Sequence, residues 1–454
     1  MAAPAHAAGG VGGAEGATPD AERTVQVVMV NFQDSTLADT AKLKSQLEST
    51  YYGTSGSLTS YYNEITRGRT TFGPRDAGEK VLGPFTLPMS AAGCDTAKMA
   101  EQTYRALAAD GIAEDSFDHV SIVFPNAKAD CGFGGLGSVG GPKTWMPAEH
   151  FSIDALIHEF GHNLGYHHHM RLRCPEGDLG AGCKEDAQES TSHKSVMGGG
   201  GSAAGLTAPE LIHNDWLTAG ELARVDRSGT YTLRPLAGKG GGVRALSIPL
   251  GEDRLVVEFR TRSGSLDKGV RGVHAYKVTG DDYTKSAFID PTPGAGEAPD
   301  ADALKPGAEL RDTARKVSVK VISTGTGSAK VAVSLDGVPA PAEVIGADTG
   351  TGTDTGTGTG TGTAPQTGGT PPAVQDAGAS ADAGRSAQDG STPTAGTASD
   401  DAGPAGSGAG SAQQSGDRLA TTGGDSSTLP LAVGGAAFLA LGALALLKLR
   451  RRRG

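Results

Sequence analysis

The chain has 454 residues, enough for two or three ordinary domains, but its 70 glycines and aromatic content of 5% indicate that a large part of it builds no hydrophobic core. The formal net charge of −11 argues against a nucleic-acid partner, because phosphate binding requires a basic surface. Met1 to Asp20 has neither the basic nor the apolar region of a signal peptide. We expect residues 1–23 to be disordered and the export signal to be missing from the stated start.

Residues 24–222 show the alternation of strands and helices that is typical of a mixed α/β domain. The predicted elements are a buried strand at 24–32, a helix at 37–52, a helix at 97–110 and a strand at 119–124. The stretch 132–141 is too rich in glycine for a central strand. It suits an edge strand, or a loop that another backbone approaches closely.

A short helix predicted over 153–164 carries the chemistry of this domain. Its apolar residues form one stripe, and His158 and His162 lie within about 40° of each other on the opposite face, because four residues make slightly more than one turn. Gly165 allows a sharp turn that brings His168 back as a third nitrogen ligand. Three neutral ligands leave Zn²⁺ an open position for water, and Glu159 beside the first histidine is placed to take the proton of that water.

The complete pattern His-Glu-x-x-His-x-x-Gly-x-x-His from 158 to 168 is rare. A bare His-Glu-x-x-His should arise by chance about once in a hundred such chains, and the full pattern roughly once in twenty thousand. With this motif the sequence resembles the metzincin metallopeptidases, and residues 162–168 are most similar to the gametolysin type. The resemblance implies a methionine turn at Met197 beneath the metal and substrate pairing along 132–141. Gly199 stands where several metzincin families have a catalytic tyrosine.

The four cysteines include no Cys-x-x-Cys pair, which favours two disulfides and an oxidising compartment over a thiolate metal site. Three connectivities are possible. We favour Cys94 with Cys131 and Cys174 with Cys183, because the second pair closes a short loop.

After residue 222 the pattern changes to short alternating runs, which predict an all-β, sandwich-like domain over 223–337. The predicted strands lie at 230–233, 244–248, 255–260, 273–278, 317–322 and 330–335. The predicted fold is therefore an α/β (α+β) catalytic domain followed by a β-sandwich. No catalytic constellation is visible in the second domain, so we assign it a structural or substrate-positioning role.

Residues 338–418 consist mainly of small and polar residues, and this composition predicts a disordered linker that acts as a flexible tether. Residues 429–447 are almost wholly apolar and precede a basic cluster. This order predicts a transmembrane helix with a stop-transfer signal, so that everything before it lies outside the cell.

The segment 419–454 resembles a Gram-positive sortase-sorting signal, because Leu-Ala-Thr-Thr-Gly at 419–423 precedes the apolar span and the basic tail. The resemblance implies cleavage between Thr422 and Gly423 and attachment of Thr422 to cell-wall peptidoglycan by a sortase. Ala420 replaces the usual proline, which leaves the sortase class open. A simple membrane anchor is the alternative. The expected location is the surface of a Gram-positive cell.

These features together predict an extracellular zinc endopeptidase that acts on proteins or peptides. Two other functions stay open. One is a zinc-stabilised surface binding protein without turnover, for which Glu159 would not be needed. The other is a zinc hydrolase that acts on a non-peptide bond.

Overall fold

The computed structural model describes residues 22–180, 182–186, 192–293, 301–341, 344–345 and 418–423. The fold is mixed α/β with many strands and few helices, which confirms the fold class predicted from the sequence at this coarse level. The α-helices are α1 (Thr40–Tyr52), α2 (Leu58–Ile65), α3 (Thr96–Ala109), α4 (Ile153–Asn163) and α5 (Ala208–His213). The strands in chain order are β1 (Arg23–Asn31), β2 (Phe72–Pro74), β3 (Val81–Thr86), β4 (His119–Phe124), β5 (Phe133–Val139), β6 (Lys143–Pro147), β7 (Met170–Arg173), β8 (Lys184–Glu185), β9 (Leu222–Arg224), β10 (Gly229–Leu233), β11 (Ala245–Leu250), β12 (Asp253–Arg260), β13 (Gly272–Val278), β14 (Ser286–Asp290), β15 (Glu309–Asp312), β16 (Val317–Thr324), β17 (Ala329–Ser334), β18 (Val344–Ile345) and β19 (Arg418–Gly423).

The first sheet has the strand order β19-β5-β6-β4-β1-β2, with β3 also paired to β1. The strands β2, β3, β4 and β6 run parallel to their partners β1 and β4, whereas β5 is antiparallel to β6. Within β1, Val27 packs into one hydrophobic cluster and Val28 into another, because successive side chains of a strand point to opposite faces. The helices α1, α2 and α4 contribute to the first cluster and α3 to the second, so the sheet lies between two helical layers.

The second sheet has the order β8-β7-β14-β13-β12-β11-β9, and the third has the order β15-β16-β17-β10-β18. The second sheet is buried on both faces. Val256 and Tyr276 pack into the cluster that contains α4, whereas Val257 and Ala275 pack into the cluster that the third sheet covers. The second sheet is therefore a middle layer that joins the α/β part to the third sheet.

The structure extends several predicted boundaries. Strands β7 and β8 belong to the second sheet, although the sequence assigns their residues to the α/β domain. Strand β1 begins at Arg23. Strand β18, whose residues lie inside the predicted linker, pairs with β10. In each case the partner strand is distant in sequence, so local composition does not reveal the pairing.

Both disulfides that the sequence favours are present, which confirms the predicted pairing. The Cα atoms are 5.3 Å apart in Cys94–Cys131 and 4.3 Å apart in Cys174–Cys183. Among the described helices, none combines the length and apolar character that crossing a membrane requires. The transmembrane helix predicted at 429–447 lies outside the described residues.

Candidate metal centre

Helix α4 begins where the sequence predicts. Ser152 is its N-cap and accepts a hydrogen bond from the Ala155 amide at 3.2 Å. Asp154 in the first turn accepts a hydrogen bond from the Ser202 amide at 2.7 Å, and this contact ties the helix to the loop before α5. The helix ends one residue earlier than predicted, and Leu164 is its C-cap.

The turn after α4 returns the chain to the helix. Gly165 has φ of 96°, in the left-handed region that glycine adopts without strain. Its amide donates to the His162 carbonyl at 2.8 Å, and the Tyr166 amide donates to the Gly161 carbonyl at 3.1 Å. This turn brings His168 next to the two helical histidines, as the motif predicts.

The three histidines form one group that could hold a metal ion, since their candidate ligand atoms all lie within 4.8 Å of one another. The Nδ1 atom of His158 lies 3.0 Å from the Val196 carbonyl oxygen, and that of His162 lies 2.7 Å from the Tyr166 carbonyl oxygen. A ring nitrogen that faces a carbonyl must be the donor, so in the neutral rings both Nε2 atoms carry lone pairs. These backbone contacts fix the orientation of both rings.

The spacing of the Nε2 atoms fits a four-coordinate cation. The His158 Nε2 atom lies 3.1 Å from the Nε2 atoms of both His162 and His168. Lone pairs at this distance repel each other unless a positive charge lies between them. Tetrahedral bonds of about 2.0–2.1 Å would place two ligand nitrogens about 3.3–3.4 Å apart, close to the spacing here.

Burial keeps the helical ligands neutral. It lowers the pKa of His158 to about 4 and that of His162 to about 2, and the neighbouring ring of His158 adds to the decrease at His162. Both rings are therefore unprotonated near pH 7, as a metal ligand must be.

Glu159 is fully buried between α4 and β5, the strand that pairs with β6 and β19. A Cβ atom added at Gly135 would lie 2.8 Å from Glu159 Oε1, and one added at Gly137 would lie 2.5 Å from the Glu159 carbonyl oxygen. Side chains at these two positions would push the helix away from the strand. The glycines of β5 therefore allow the carboxylate to lie directly against the strand backbone.

Met197 packs against α4 at Gly161. Its side chain is fully buried, and a Cβ atom added at Gly161 would lie 2.3 Å from its Sδ atom. The His169 amide donates to the Met197 carbonyl at 3.2 Å, which links the turn to the chain just after His168. The thioether thus forms a hydrophobic floor next to the helical histidines.

Glu210 on α5 contacts the chain on both sides of Met197. The sequence does not identify Glu210 as part of the site. Its buried carboxylate lies 3.1 Å from His169 Nε2 and accepts hydrogen bonds from the Thr207 amide at 2.6 Å and the Ser195 hydroxyl at 3.2 Å. Burial raises the pKa of Glu210, but the interaction with His169 and the hydrogen bonds from Thr207 outweigh it, so the pKa lies below its ordinary value. The Thr-x-x-Glu capping box at 207–210 is the sequence pattern from which the position of Glu210 at a helix start could have been predicted.

The middle sheet also contacts the loop that contains His168 and the chain before Met197, through residues that the sequence does not connect to them. The His167 amide donates to the Thr284 carbonyl at 3.0 Å. The fully buried Arg260 on β12 donates to the Lys194 carbonyl at 3.1 Å, just before the turn that contains Met197.

Thr422 and Gly423, the predicted sortase cleavage residues, lie in β19. This strand pairs antiparallel with β5, and Thr422 is opposite Gly135.

Neither a comparison with models of known protein families nor a search of curated proteins finds a match to this chain.

Proposed function

We propose that the protein is an extracellular zinc-dependent endopeptidase. The observation that supports this best is the convergence of three histidine Nε2 atoms beside α4, with Glu159 on the same helix and against the strand β5. A purely structural zinc site is usually closed by four protein ligands, whereas three histidines leave a position for water.

The residues of the site divide the chemistry between them. His158, His162 and His168 would hold the zinc, which when bound polarises a peptide carbonyl and makes a water molecule more acidic. Glu159 would act as the general base that accepts a proton from water and as the general acid that returns it to the leaving amine. The side of β5 that faces away from β6, when it is not paired with β19, would offer backbone amides and carbonyls to an extended peptide, which would lie antiparallel along the strand.

A matched set of variants tests the enzyme proposal. We expect the wild type to bind one zinc per chain and to cleave a quenched-fluorescent peptide library in a chelator-sensitive way. Glu159→Gln should retain zinc and lose activity by about 10³-fold or more, because only the base is removed. His162→Ala should lose the zinc itself. If the wild type cleaves no peptide with zinc bound, the protein is a binding protein or acts on another bond.

For surface display, we propose that the segment 419–454 directs sortase attachment to the cell wall. The support is the order of the motif, the apolar span and the basic tail in the sequence. Mass spectrometry of fragments released from digested cell wall should find a C-terminus at Thr422. A mature chain that still contains residues 429–447 would favour a membrane anchor instead.

A further inference from the structure

The strand β5 already has a partner on the side where a substrate would bind. One side pairs with β6, and the other side pairs antiparallel with β19, which comes from near the C-terminus of the chain. The register places Leu419 opposite Ser138, Thr421 opposite Leu136 and Thr422 opposite Gly135.

This pairing and substrate binding exclude each other. Each side of a strand has one row of backbone donors and acceptors, and that row can pair with one extended chain only. With β6 on one side and β19 on the other, β5 has no row left for a peptide substrate.

The segment also lies beside the part of β5 that contacts Glu159. Its partners Gly135 and Gly137 are the two positions of β5 that lie directly against Glu159. In this arrangement Glu159 and His162 are both 0% exposed to solvent. A catalytic base with no exposed surface cannot receive a substrate, so the centre must open before a peptide binds, and release of the segment would free the adjacent side of β5.

We propose that Arg418–Gly423 is an intramolecular inhibitor that occupies the substrate-binding edge of the peptidase. The inference rests on the proposed function, because it needs the edge to be the substrate site. The same segment contains the Leu419-to-Gly423 motif, so a protein that binds the motif removes it from the edge. Binding of the motif by such a protein would therefore activate the peptidase.

The tether makes this inhibition effective even if the contact is weak. The sequence predicts a glycine-rich linker of about 80 residues before the segment, and such a coil has a root-mean-square span of about 50 Å. Its end is held near the domain at an effective concentration on the order of a millimolar or below. A six-residue strand that binds β5 with a dissociation constant of about 0.1 mM would then be paired with β5 in most of the molecules.

The test uses the full chain with two adjacent prolines, Ala420→Pro/Thr421→Pro. Successive residues of a strand point their amides to opposite sides, so one of two adjacent prolines always removes a donor that faces β5. The matched control is Thr397→Pro/Ala398→Pro, which makes the same pair of changes within the linker.

We expect the prolines in the segment to raise kcat/KM for a short peptide by about tenfold, and the control to leave it unchanged. A synthetic peptide spanning residues 418–423 should inhibit the activated variant competitively, raising KM without changing kcat. The fold activation should equal one plus the ratio of effective concentration to the inhibition constant of this peptide. Equal kcat/KM in wild type and variant would overturn the proposal.

A second measurement needs no enzymatic activity. Amide hydrogen exchange of residues 133–139 is compared in Glu159→Gln chains with and without the two prolines. Faster exchange in the chain with prolines, but not in the control, supports the proposal, whereas unchanged exchange overturns it. If no chain cleaves peptides but exchange responds as expected, the enzyme proposal fails while the intramolecular pairing stands.

Discussion

At the scale of single residues, the glycines of β5 determine how closely Glu159 approaches the strand. A Cβ atom at Gly135 would lie 2.8 Å from both Cγ and Oε1 of Glu159, which is closer than real Cβ contacts. Gly135→Ala should therefore displace the Glu159 carboxylate, the proposed catalytic base. A shift of the order of 1 Å lowers kcat/KM by roughly tenfold to a hundredfold, and zinc content should not change. Peptide kinetics together with the zinc stoichiometry checks this.

Gly132→Ala is the matched control for this prediction, because a Cβ atom at Gly132 would contact nothing within 4 Å. It should retain wild-type kinetics. Equal activity in both variants would show that Glu159 can shift without loss of activity. Its close contact with β5 would then not matter for kcat/KM.

The residues of the candidate site could be predicted because they are local in sequence. His158, Glu159 and His162 lie within two turns of one helix, and His168 follows after one glycine turn. Helix geometry and one left-handed residue are enough to bring them together. Glu210 could not be assigned to the site in the same way, since its contact with His169 depends on how α5 packs.

At the scale of elements, Glu210 joins the N-terminus of α5 to the chain around the methionine turn. Glu210→Gln keeps the shape of the side chain but removes a buried charge that accepts several hydrogen bonds. We expect the free energy of unfolding to decrease by about 2–3 kcal/mol, since a hydrogen bond to a charged group contributes about 1.5–3 kcal/mol. Glu252→Gln, at an exposed position, should change it by less than about 0.5 kcal/mol. Equal denaturation midpoints would contradict this role.

The two disulfides should stabilise the fold unequally. They close loops with sequence separations of 37 for Cys94–Cys131 and 9 for Cys174–Cys183. In the chain-entropy model these correspond to about 3.8 and 2.6 kcal/mol. Replacing both cysteines of each pair by alanine should therefore lower the thermal midpoint more for the first pair. The opposite order would mean that local contacts, rather than loop length, set the contribution of each bridge.

Element types could be predicted well where periodicity is strong, as in β1, β4, α3 and α4. The edge strand or loop expected at 132–141 is the strand β5, which lies between β6 and β19 rather than at the edge of the sheet. The pairing of strands that are distant in sequence was harder to predict. Strand β7 joins β14 through contacts between residues 170–173 and 287–290, and no local pattern encodes such a partner. The same reason explains why β19 could not be expected beside β5.

At the scale of the whole molecule, the middle sheet is part of the support of the candidate metal centre. Arg260 on β12 donates to Glu258 at 2.9 Å and to Asp267 at 2.8 Å, and its other donors reach the carbonyls of Lys194 and Gly205. Glu258 in turn accepts a hydrogen bond from the Ala208 amide of α5 at 2.6 Å. The β part therefore holds the segments on both sides of the methionine turn, and a role limited to binding substrate would not require this network.

Arg260→Leu tests this dependence. The variant leaves two buried carboxylates, Glu258 and Asp267, without their cation, which costs about 3–5 kcal/mol of the free energy of unfolding. Because the lost contacts include the Lys194 carbonyl, zinc affinity should fall as well, even under conditions where the chain stays folded. Arg254→Leu on the same strand removes an ion pair whose side chains are 34% and 70% exposed, so it should cost less than about 1 kcal/mol. Denaturant unfolding and a competitive zinc titration measure both quantities. A loss of stability without any change in zinc affinity would mean that the Arg260 network serves folding only. A parallel loss of stability and zinc affinity would mean that the β part also supports the proposed metal site.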